Sequence, residues 1–307
     1  MSAPSEEAAA SHDGSPAYGL SEAVFAEERR EFHAGLLLSG ALTVNDIGVP
    51  SNADKGNKTS IVIAASIARQ LAVKTVGERL AAQTSGGQFE SSVARFADAT
   101  FLRLAHLRPG TWDVQKVGGR GASSQASAFE QYAHLTELDD AIKQTPSLRA
   151  ILGNAYSIAP DIVVSRHPLG DDQINQRELL VDSTVSTLTS MRMVNQRQPL
   201  LHAVISCKWT IRSDRAQNAR SEALNLIRNR KGRLPHIAVV TGEPLPSRIA
   251  SIALGTGDID CVYHFALPEL VRAVDEGGFD DAAELLDMMI SGRRLRDISD
   301  LPLDLAI

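Results

Sequence analysis

The stretch LLHAVISCKWTIRSDR, residues 200–215, is a β-branched apolar run that ends in charged residues. Runs of this kind favour a buried strand, and the change to polar residues marks its end. Alternate residues of a strand share a face, so the side chains of Ser206 and Lys208 should point to one side and that of Cys207 to the other. Because burial of an unpartnered ammonium is costly, Lys208 is expected to have a partner nearby.

Three further runs in the second half of the chain have strand character, and segments of helical composition lie among them. The runs are IAPDIVVSR at 158–166, HIAVVTG at 236–242 and DIDCVYHF at 258–265, and helices are predicted over 215–230 and 246–254. Alternation of strands and helices predicts a largely parallel or mixed sheet covered by helices. The predicted fold class is therefore α/β.

The first half is predicted to be mainly helical. Helices are expected from Ser21 to about Leu38, over 61–73 with Thr59 or Ser60 as the cap, from about Gly87 to 107, and over 129–144, with one strand over 111–117. Residues 1–17 are rich in Ser, Ala, Glu and Pro and are predicted to form a disordered tail. The remainder, 18–307, is interpreted as a single domain with a helical N-terminal part.

Charge is unevenly distributed along the chain. The net charge of −6 argues by itself against a nucleic-acid partner. Between Ser206 and Arg233, however, eight basic residues are opposed by only two acids, whereas acids concentrate from Asp275 to Asp287. Because the charge of the contact face matters more than the whole-chain sum, this asymmetry permits a DNA-binding surface. The C-terminal acidic helix is interpreted as a solvated face or an oligomer contact.

Membrane, secreted and disulfide-rich proteins are disfavoured. No apolar run approaches the length that spans a bilayer, and the polar, acidic start of the chain lacks the features of a secretory signal. Cys207 and Cys261 have the spacing of neither a disulfide framework nor a zinc site. These features favour a cytoplasmic protein with reduced cysteines.

Two carboxylates and one lysine form the candidate site. Asp161 follows Pro160 at the start of a strand, 45 residues before Ser206. Glu222 lies fourteen residues after Lys208, in a helix that can fold back on that strand. Mg²⁺ prefers oxygen ligands, and phosphodiester hydrolysis needs a metal to activate water and to neutralise the phosphate. Each residue alone has an ordinary structural explanation, but their order and spacing together favour a metal-dependent nuclease.

The series Pro160-Asp161, Ser206-x-Lys208 and Glu222 resembles the PD-(D/E)XK nuclease core in the form found in CCGG-family type II restriction endonucleases. In that form serine occupies the usual second acidic position, and a glutamate from the next helix replaces it in space. The resemblance implies a restriction-endonuclease-like mixed sheet flanked by helices. It also implies catalytic roles for Asp161, Ser206, Lys208 and Glu222, with Asp161 as a metal ligand.

The residues that follow Lys208 resemble the recognition segment of the same family. Arginine can donate two hydrogen bonds to guanine, and aspartate can accept one from cytosine. Such groups at the corner between a strand and a helix suit adjacent G·C pairs in a major groove. By resemblance, Arg212, Asp214 and Arg215 read the CCGG core.

Further positions match the family in order along the chain. By resemblance, Asp54, Gln83 and Arg248 contact DNA, chiefly around the outer G·C pair or through the minor groove. Glu90 lies at the active site by the same resemblance. Cys207 is implied to contribute its backbone carbonyl, and not its thiolate, to the metal.

The resemblance implies Mg²⁺-dependent hydrolysis of double-stranded DNA at a CCGG-containing palindrome, with GCCGGC expected, two ions per active site, 5′-phosphate ends and four-base 5′ overhangs. A palindromic site requires two-fold related subunits, and the family suggests a homotetramer built as a dimer of dimers. A cognate methyltransferase is expected beside it. Two alternatives stay open: another PD-(D/E)XK nuclease that acts in repair or on DNA structure, and a sequence-specific DNA-binding protein without catalysis.

Overall fold

A computed structural model describes residues 22–72, 85–117, 126–145, 147, 160–255 and 257–307, excepting the side chains of residues 139 and 213–216. Its centre is a six-stranded mixed sheet in which the strands lie in chain order. The strands are β1 (Trp112–Lys116), β2 (Ile162–Arg166), β3 (Leu200–Lys208), β4 (His236–Thr241), β5 (Cys261–His264) and β6 (Leu295–Asp297). The first three are antiparallel neighbours, whereas β3 to β6 run parallel. The predicted α/β class with a mixed sheet is confirmed.

Helices flank this sheet along the described part of the chain. They are α1 (Val24–Leu38), α2 (Lys58–Gln70), α3 (Ser85–Phe101), α4 (Leu135–Gln144), the single turn α5 (Asp171–Ile174), α6 (Ser213–Asn229), α7 (Pro246–Ala253), α8 (Leu267–Glu276), α9 (Asp280–Ser291) and the short α10 (Leu301–Leu305). Among them, none combines the length and the apolar character that a membrane-spanning helix requires. Residues 1–17 lie outside the described residues, so the division into a tail and a domain over 18–307 stays a prediction.

Helix starts in the first half differ from the prediction, and α1 begins at Val24, after Ala23, and not at Ser21. The side chain of Asn57 accepts a hydrogen bond from the backbone N–H of Ser60 at 2.9 Å, so Asn57, and not Thr59 or Ser60, caps α2. The helix predicted over 129–144 begins only at Leu135, because two 3₁₀ turns precede it. The positions of these helices in the chain agree with the prediction.

The acidic C-terminal region contains two helices where one was predicted. They separate at Gly277 and Gly278, where Gly278 has φ of 65°, a left-handed conformation that glycine adopts readily. Leu286 and Met289 are buried, so α9 packs on the protein through one face and leaves its acids on the other. The short strand β6 that follows was not predicted, because three residues give too short a pattern.

Trp209, directly after β3, joins the helical N-terminal half to the parallel part of the sheet. Its ring packs against that of Phe89 of α3, with centroids 4.8 Å apart, and against that of Phe265 after β5, with centroids 5.5 Å apart. All three residues are buried. This aromatic contact fixes where α3 lies relative to the carboxyl end of β3, the end at which the candidate site is found.

Candidate active site

Asp161 and Lys208 meet because β2 and β3 are antiparallel neighbours. Ile162 at the start of β2 pairs with Ile205, which places Asp161 beside the carboxyl end of β3. Its Oδ2 accepts a hydrogen bond from the backbone N–H of Cys207 at 2.7 Å and lies 3.7 Å from Nζ of Lys208. The carboxylate is therefore the charged partner that a largely buried Lys208 needs.

Glu222 reaches the same place from α6, which connects the parallel strands β3 and β4. Burial raises the pKa of Glu222; the ammonium of Lys208 opposes this shift and the carboxylate of Asp161 adds to it. All three side chains border one cleft of about 700 Å³. The three distant stretches of sequence that carry the motif thus converge in space.

Ser206 and Cys207 lie on opposite sides of β3, as strand alternation requires. Ser206 Oγ lies 3.5 Å from Oδ2 of Asp161, and the residue borders a small, mainly apolar cavity beneath α6 together with Glu222. The Cys207 thiol is buried, and burial raises its pKa well above the ordinary value, with Asp161 and Glu90 adding to the shift. A thiol in this state is neutral, which suits Cys207 to contribute a carbonyl oxygen and not a thiolate.

Glu90 enters the cleft from α3 and is paired with a lysine of β1. Its Oε2 lies 3.2 Å from Nζ of Lys116, which also donates to the carbonyl oxygen of Gly87 at 2.8 Å and to Ser91 Oγ at 2.9 Å. Glu90 and Asp161 line the same cleft. Sequence analysis missed Lys116, because a single lysine at the end of a strand carries no motif.

Three of the predicted DNA-contacting residues also line this cleft. Arg212, Asp54 and Arg248 all line it. Asp54 pairs with Arg248, and this hydrogen bond lowers the pKa of Asp54, with a further contribution from Arg212. Two arginines and a carboxylate therefore sit beside the candidate catalytic residues.

Two other predicted contacts are described only in their backbone, and a third lies outside the description. Asp214 and Arg215 lie in the first turn of α6, directly after Arg212, but their side chains fall outside the description. Gln83 lies outside the described residues altogether. Their roles stay predictions.

The basic stretch from Ser206 to Arg233 is divided between different parts of the molecule. Lys208 and Arg212 line the cleft, whereas Arg220 pairs with Asp258 at 2.6 Å and donates to carbonyl oxygens at the end of α7. Arg233 borders a separate cavity at the opposite end of β4. The local surplus of basic residues therefore overstates the positive charge of the cleft itself.

Sequence analysis also missed several residues around the cleft. Lys55, Thr210 and Asn218 line it. Glu243 is fully buried behind it and accepts a hydrogen bond from the backbone N–H of Ile211 at 2.7 Å. Glu243 stands in the sequence TGEPLP, which has the composition of an ordinary turn, so nothing in the sequence marked it.

The oxygen donors of the cleft suit a hard divalent cation. Asp161, Glu222 and Glu90 border it, and Cys207 reaches it while its thiol stays buried. Within the described residues, no three or more His, Cys, Asp or Glu side chains lie close enough together to hold a metal ion by themselves. Mg²⁺ is usually held by one or two carboxylates and completes its shell with water and substrate phosphates, so this donor set fits it.

Comparison with known proteins identifies the family. The family model of the NgoMIV restriction enzyme matches residues 32–307, a range that contains every candidate site residue. The type II restriction enzyme NgoMIV of Neisseria gonorrhoeae is 55% identical over 284 residues, which cover 92% of this chain and 99% of that protein. Enzymes of this type generally need a divalent metal ion. The resemblance found in the motif is thereby confirmed: the chain belongs to the NgoMIV restriction enzyme family, and its activity is the site-specific cleavage of double-stranded DNA.

Proposed function

We propose that this protein is a type II restriction endonuclease that hydrolyses double-stranded DNA at GCCGGC with Mg²⁺ as cofactor. The observation that carries the proposal is the single cleft in which Asp161, Lys208 and Glu222 lie beside Arg212 and Arg248. Groups suited to metal binding and groups suited to reading guanine thus border one space, as cleavage at a recognised sequence requires. The family match adds the expectation that the two functions act together.

Asp161 and the carbonyl oxygen of Cys207 are proposed to hold the metal, and Glu222 and Glu90 are proposed to add negative charge beside it. Two ions per active site are part of the proposal. The metal, when bound, polarises the scissile phosphate and lowers the pKa of water. The hydrogen bond from the Cys207 N–H to Asp161 fixes one carboxylate oxygen before DNA arrives.

Lys208 is proposed to orient the attacking water and to offset charge on the pentacovalent phosphate. Its ammonium lies 3.7 Å from Asp161, and its side chain is 15% exposed and lines the cleft, so it faces the cleft from a mostly buried position. Water attacks the phosphorus in line, and the bond to the 3′ oxygen breaks, which leaves a 5′-phosphate. Cleavage before the CCGG core on each strand then gives a four-base 5′ overhang.

Recognition is divided between two groups of residues. Arg212, Asp214 and Arg215 are proposed to read the CCGG core through the major groove. Asp54, Gln83 and Arg248 are proposed to contact the outer G·C pair and the minor groove. The pairing of Asp54 with Arg248 supports a shared role for these two residues.

The assembly and cellular setting belong to the same proposal. A palindrome is read by two-fold related subunits, so the enzyme acts at least as a dimer, and a homotetramer built as a dimer of dimers is proposed. A cognate methyltransferase protects the same sequence in the host. We propose that the endonuclease and the methyltransferase both act in the cytoplasm, where they would meet DNA.

Digestion of DNA of known sequence tests the proposal. The purified protein is incubated with Mg²⁺ and a plasmid that carries one GCCGGC, and with a matched plasmid in which the outer pair is exchanged to give ACCGGT. Cleavage of the first plasmid alone, with 5′-phosphates and four-base overhangs at the mapped ends, is expected. Cleavage without regard to sequence would indicate a repair or structure-selective nuclease, and specific binding without cleavage would indicate a DNA-binding protein.

A further inference from the structure

Glu243 is a buried carboxylate directly behind the recognition residues. It lies just after β4 and is 0% exposed. Its Oε2 accepts a hydrogen bond from the backbone N–H of Ile211 at 2.7 Å, and its Oε1 accepts one from the N–H of Leu245 at 3.1 Å. Ile211 precedes Arg212, and Leu245 precedes α7, so one side chain holds the backbone next to Arg212 and at the start of the helix that carries Arg248.

The same carboxylate lies close to the second recognition arginine. Oε2 of Glu243 is 3.9 Å from Nη1 of Arg248, whose Nη2 pairs with Asp54. Arg248 therefore stands between two carboxylates, one buried and one at the cleft surface. Ionised Glu243 attracts the guanidinium from behind while Asp54 pairs with it in front.

The backbone that carries Glu243 is held tightly against the end of β3. Thr241 Oγ1 and the N–H of Gly242 both donate to the carbonyl oxygen of Lys208, at 2.8 and 3.1 Å. The side-chain amide of Asn52, in the loop that carries Asp54, donates to the carbonyl oxygen of Gly242 at 2.7 Å. These hydrogen bonds hold the backbone of Glu243 in place, so its carboxylate holds the N–H groups of Ile211 and Leu245 in fixed positions.

We propose that Glu243 is a positioning residue for DNA recognition. It fixes the position of Arg212 through the backbone of Ile211. It fixes the position of Arg248 through the start of α7 and by electrostatic attraction. The inference rests on the proposed function, because it takes Arg212 and Arg248 to contact DNA. Glu243 itself touches no base. A carboxylate is suited to this task because both of its oxygens are acceptors, whereas glutamine offers only one acceptor oxygen to two N–H donors.

The charge of Glu243 gives the proposal a signature that simple packing would lack. Burial raises the pKa of Glu243 to about 7, opposed by the two backbone hydrogen bonds and by Arg248, with Asp54 adding to the shift. A further titratable group nearby is His264 of β5, whose Nε2 lies 3.2 Å from the backbone carbonyl oxygen of Glu243, and burial lowers its pKa to about 4. The pKa of Asp54 is lowered by Arg248. Between about pH 8 and pH 6, Glu243 is therefore the group in this cluster that changes charge, and its protonation weakens the hold on Arg248.

The test measures DNA binding by the full chain in Ca²⁺, using a GCCGGC duplex and an unrelated duplex of the same length that lacks CCGG. Glu243→Gln keeps the size of the side chain and removes its charge. We expect its affinity for GCCGGC to fall about tenfold while its affinity for unrelated DNA changes less than twofold. Single-turnover cleavage of the saturated complex in Mg²⁺ should stay within about threefold, since Asp161 and Lys208 are untouched. Wild-type affinity for GCCGGC should fall as the pH decreases from 8 to 6, and the affinity of the variant should not show this decrease.

Glu269→Gln is the matched control, because Glu269 is also a buried carboxylate that pairs with an arginine, Arg29, but lies away from the cleft. It should bind both duplexes as the wild type does. An unchanged affinity and pH profile in Glu243→Gln would overturn the inference, and so would an equal loss on specific and unrelated DNA. If Glu243→Gln does not fold, as judged by circular dichroism, a flat wild-type profile between pH 8 and 6 overturns it instead. A wild-type protein that does not prefer GCCGGC would overturn the proposed function itself.

Discussion

The carboxylate of Asp161 accepts a hydrogen bond from the backbone N–H of Cys207 at 2.7 Å, across the pairing of β2 and β3. This bond holds one carboxylate oxygen against the end of β3, where Lys208 lies 3.7 Å away. A carboxylate held by backbone needs little reorganisation when substrate binds, and such preorganisation is a main source of electrostatic catalysis. The pairing explains how two short motifs 45 residues apart in the sequence come to lie in one cleft.

Replacement of Glu222 by glutamine should raise the Mg²⁺ concentration that half-maximal cleavage requires by roughly tenfold or more, because loss of a carboxylate that supports the metal ligands typically weakens metal binding by about 10–100-fold. The rate of plasmid cleavage across a Mg²⁺ titration measures this. Glu284→Gln, which changes an exposed acid on α9, is the control and should behave as the wild type. An unchanged Mg²⁺ requirement in the Glu222 variant would place that residue outside the metal site.

Replacement of Arg212 by alanine should weaken specific binding by about 1–3 kcal/mol, the usual contribution of a bidentate contact to guanine. Affinity for unrelated DNA should change much less. Arg228→Ala, which removes the same charge from an exposed position near the other end of α6, controls for general electrostatics. Equal losses in the two variants, measured by fluorescence anisotropy in Ca²⁺, would show that Arg212 contributes only charge.

Replacement of Gly242 by alanine should lower the free energy of unfolding by about 1–3 kcal/mol, the usual penalty for overpacking. A Cβ at this position would lie 2.4 Å from Cε3 of Trp209 and 3.0 Å from its carbonyl oxygen, and the tryptophan is buried. Gly86→Ala is the matched control, since no atom lies within 4 Å of its added Cβ and alanine favours a helix. Urea unfolding measures both, and equal midpoints would contradict the close approach of the two segments.

The fold and the core of the site could be predicted because they rest on local patterns. The apolar run that ends at Lys208 predicted β3, and strand alternation placed Ser206 and Cys207 on opposite sides. The position of Glu222 fourteen residues after Lys208, in a helix able to fold back on the strand, placed it in the site, and the family resemblance agreed. The site residues that belong to a recognisable sequence motif could thus be found from the sequence alone.

Other features depend on distant contacts that no local pattern contains. Arg220 was counted with the basic stretch, yet it pairs with Asp258, which lies beyond β4 in the chain. Glu243 resembles a turn residue in the sequence but is buried by the packing of β3, α7 and the loop at Asn52. Lys116 acquires its partner Glu90 only because α3 packs beside β1. Tertiary packing decided each of these roles.

The most direct test of the central claim, that a lysine on β3 and carboxylates from two other elements form one metal-dependent cleavage site, is the Lys208→Ala variant. Its cleavage of a GCCGGC plasmid in Mg²⁺ and its binding of the same sequence in Ca²⁺ are measured side by side with the wild type. We predict that cleavage is abolished while the affinity stays nearly unchanged. A Lys208→Ala protein that still cuts the plasmid at the wild-type rate would contradict the account.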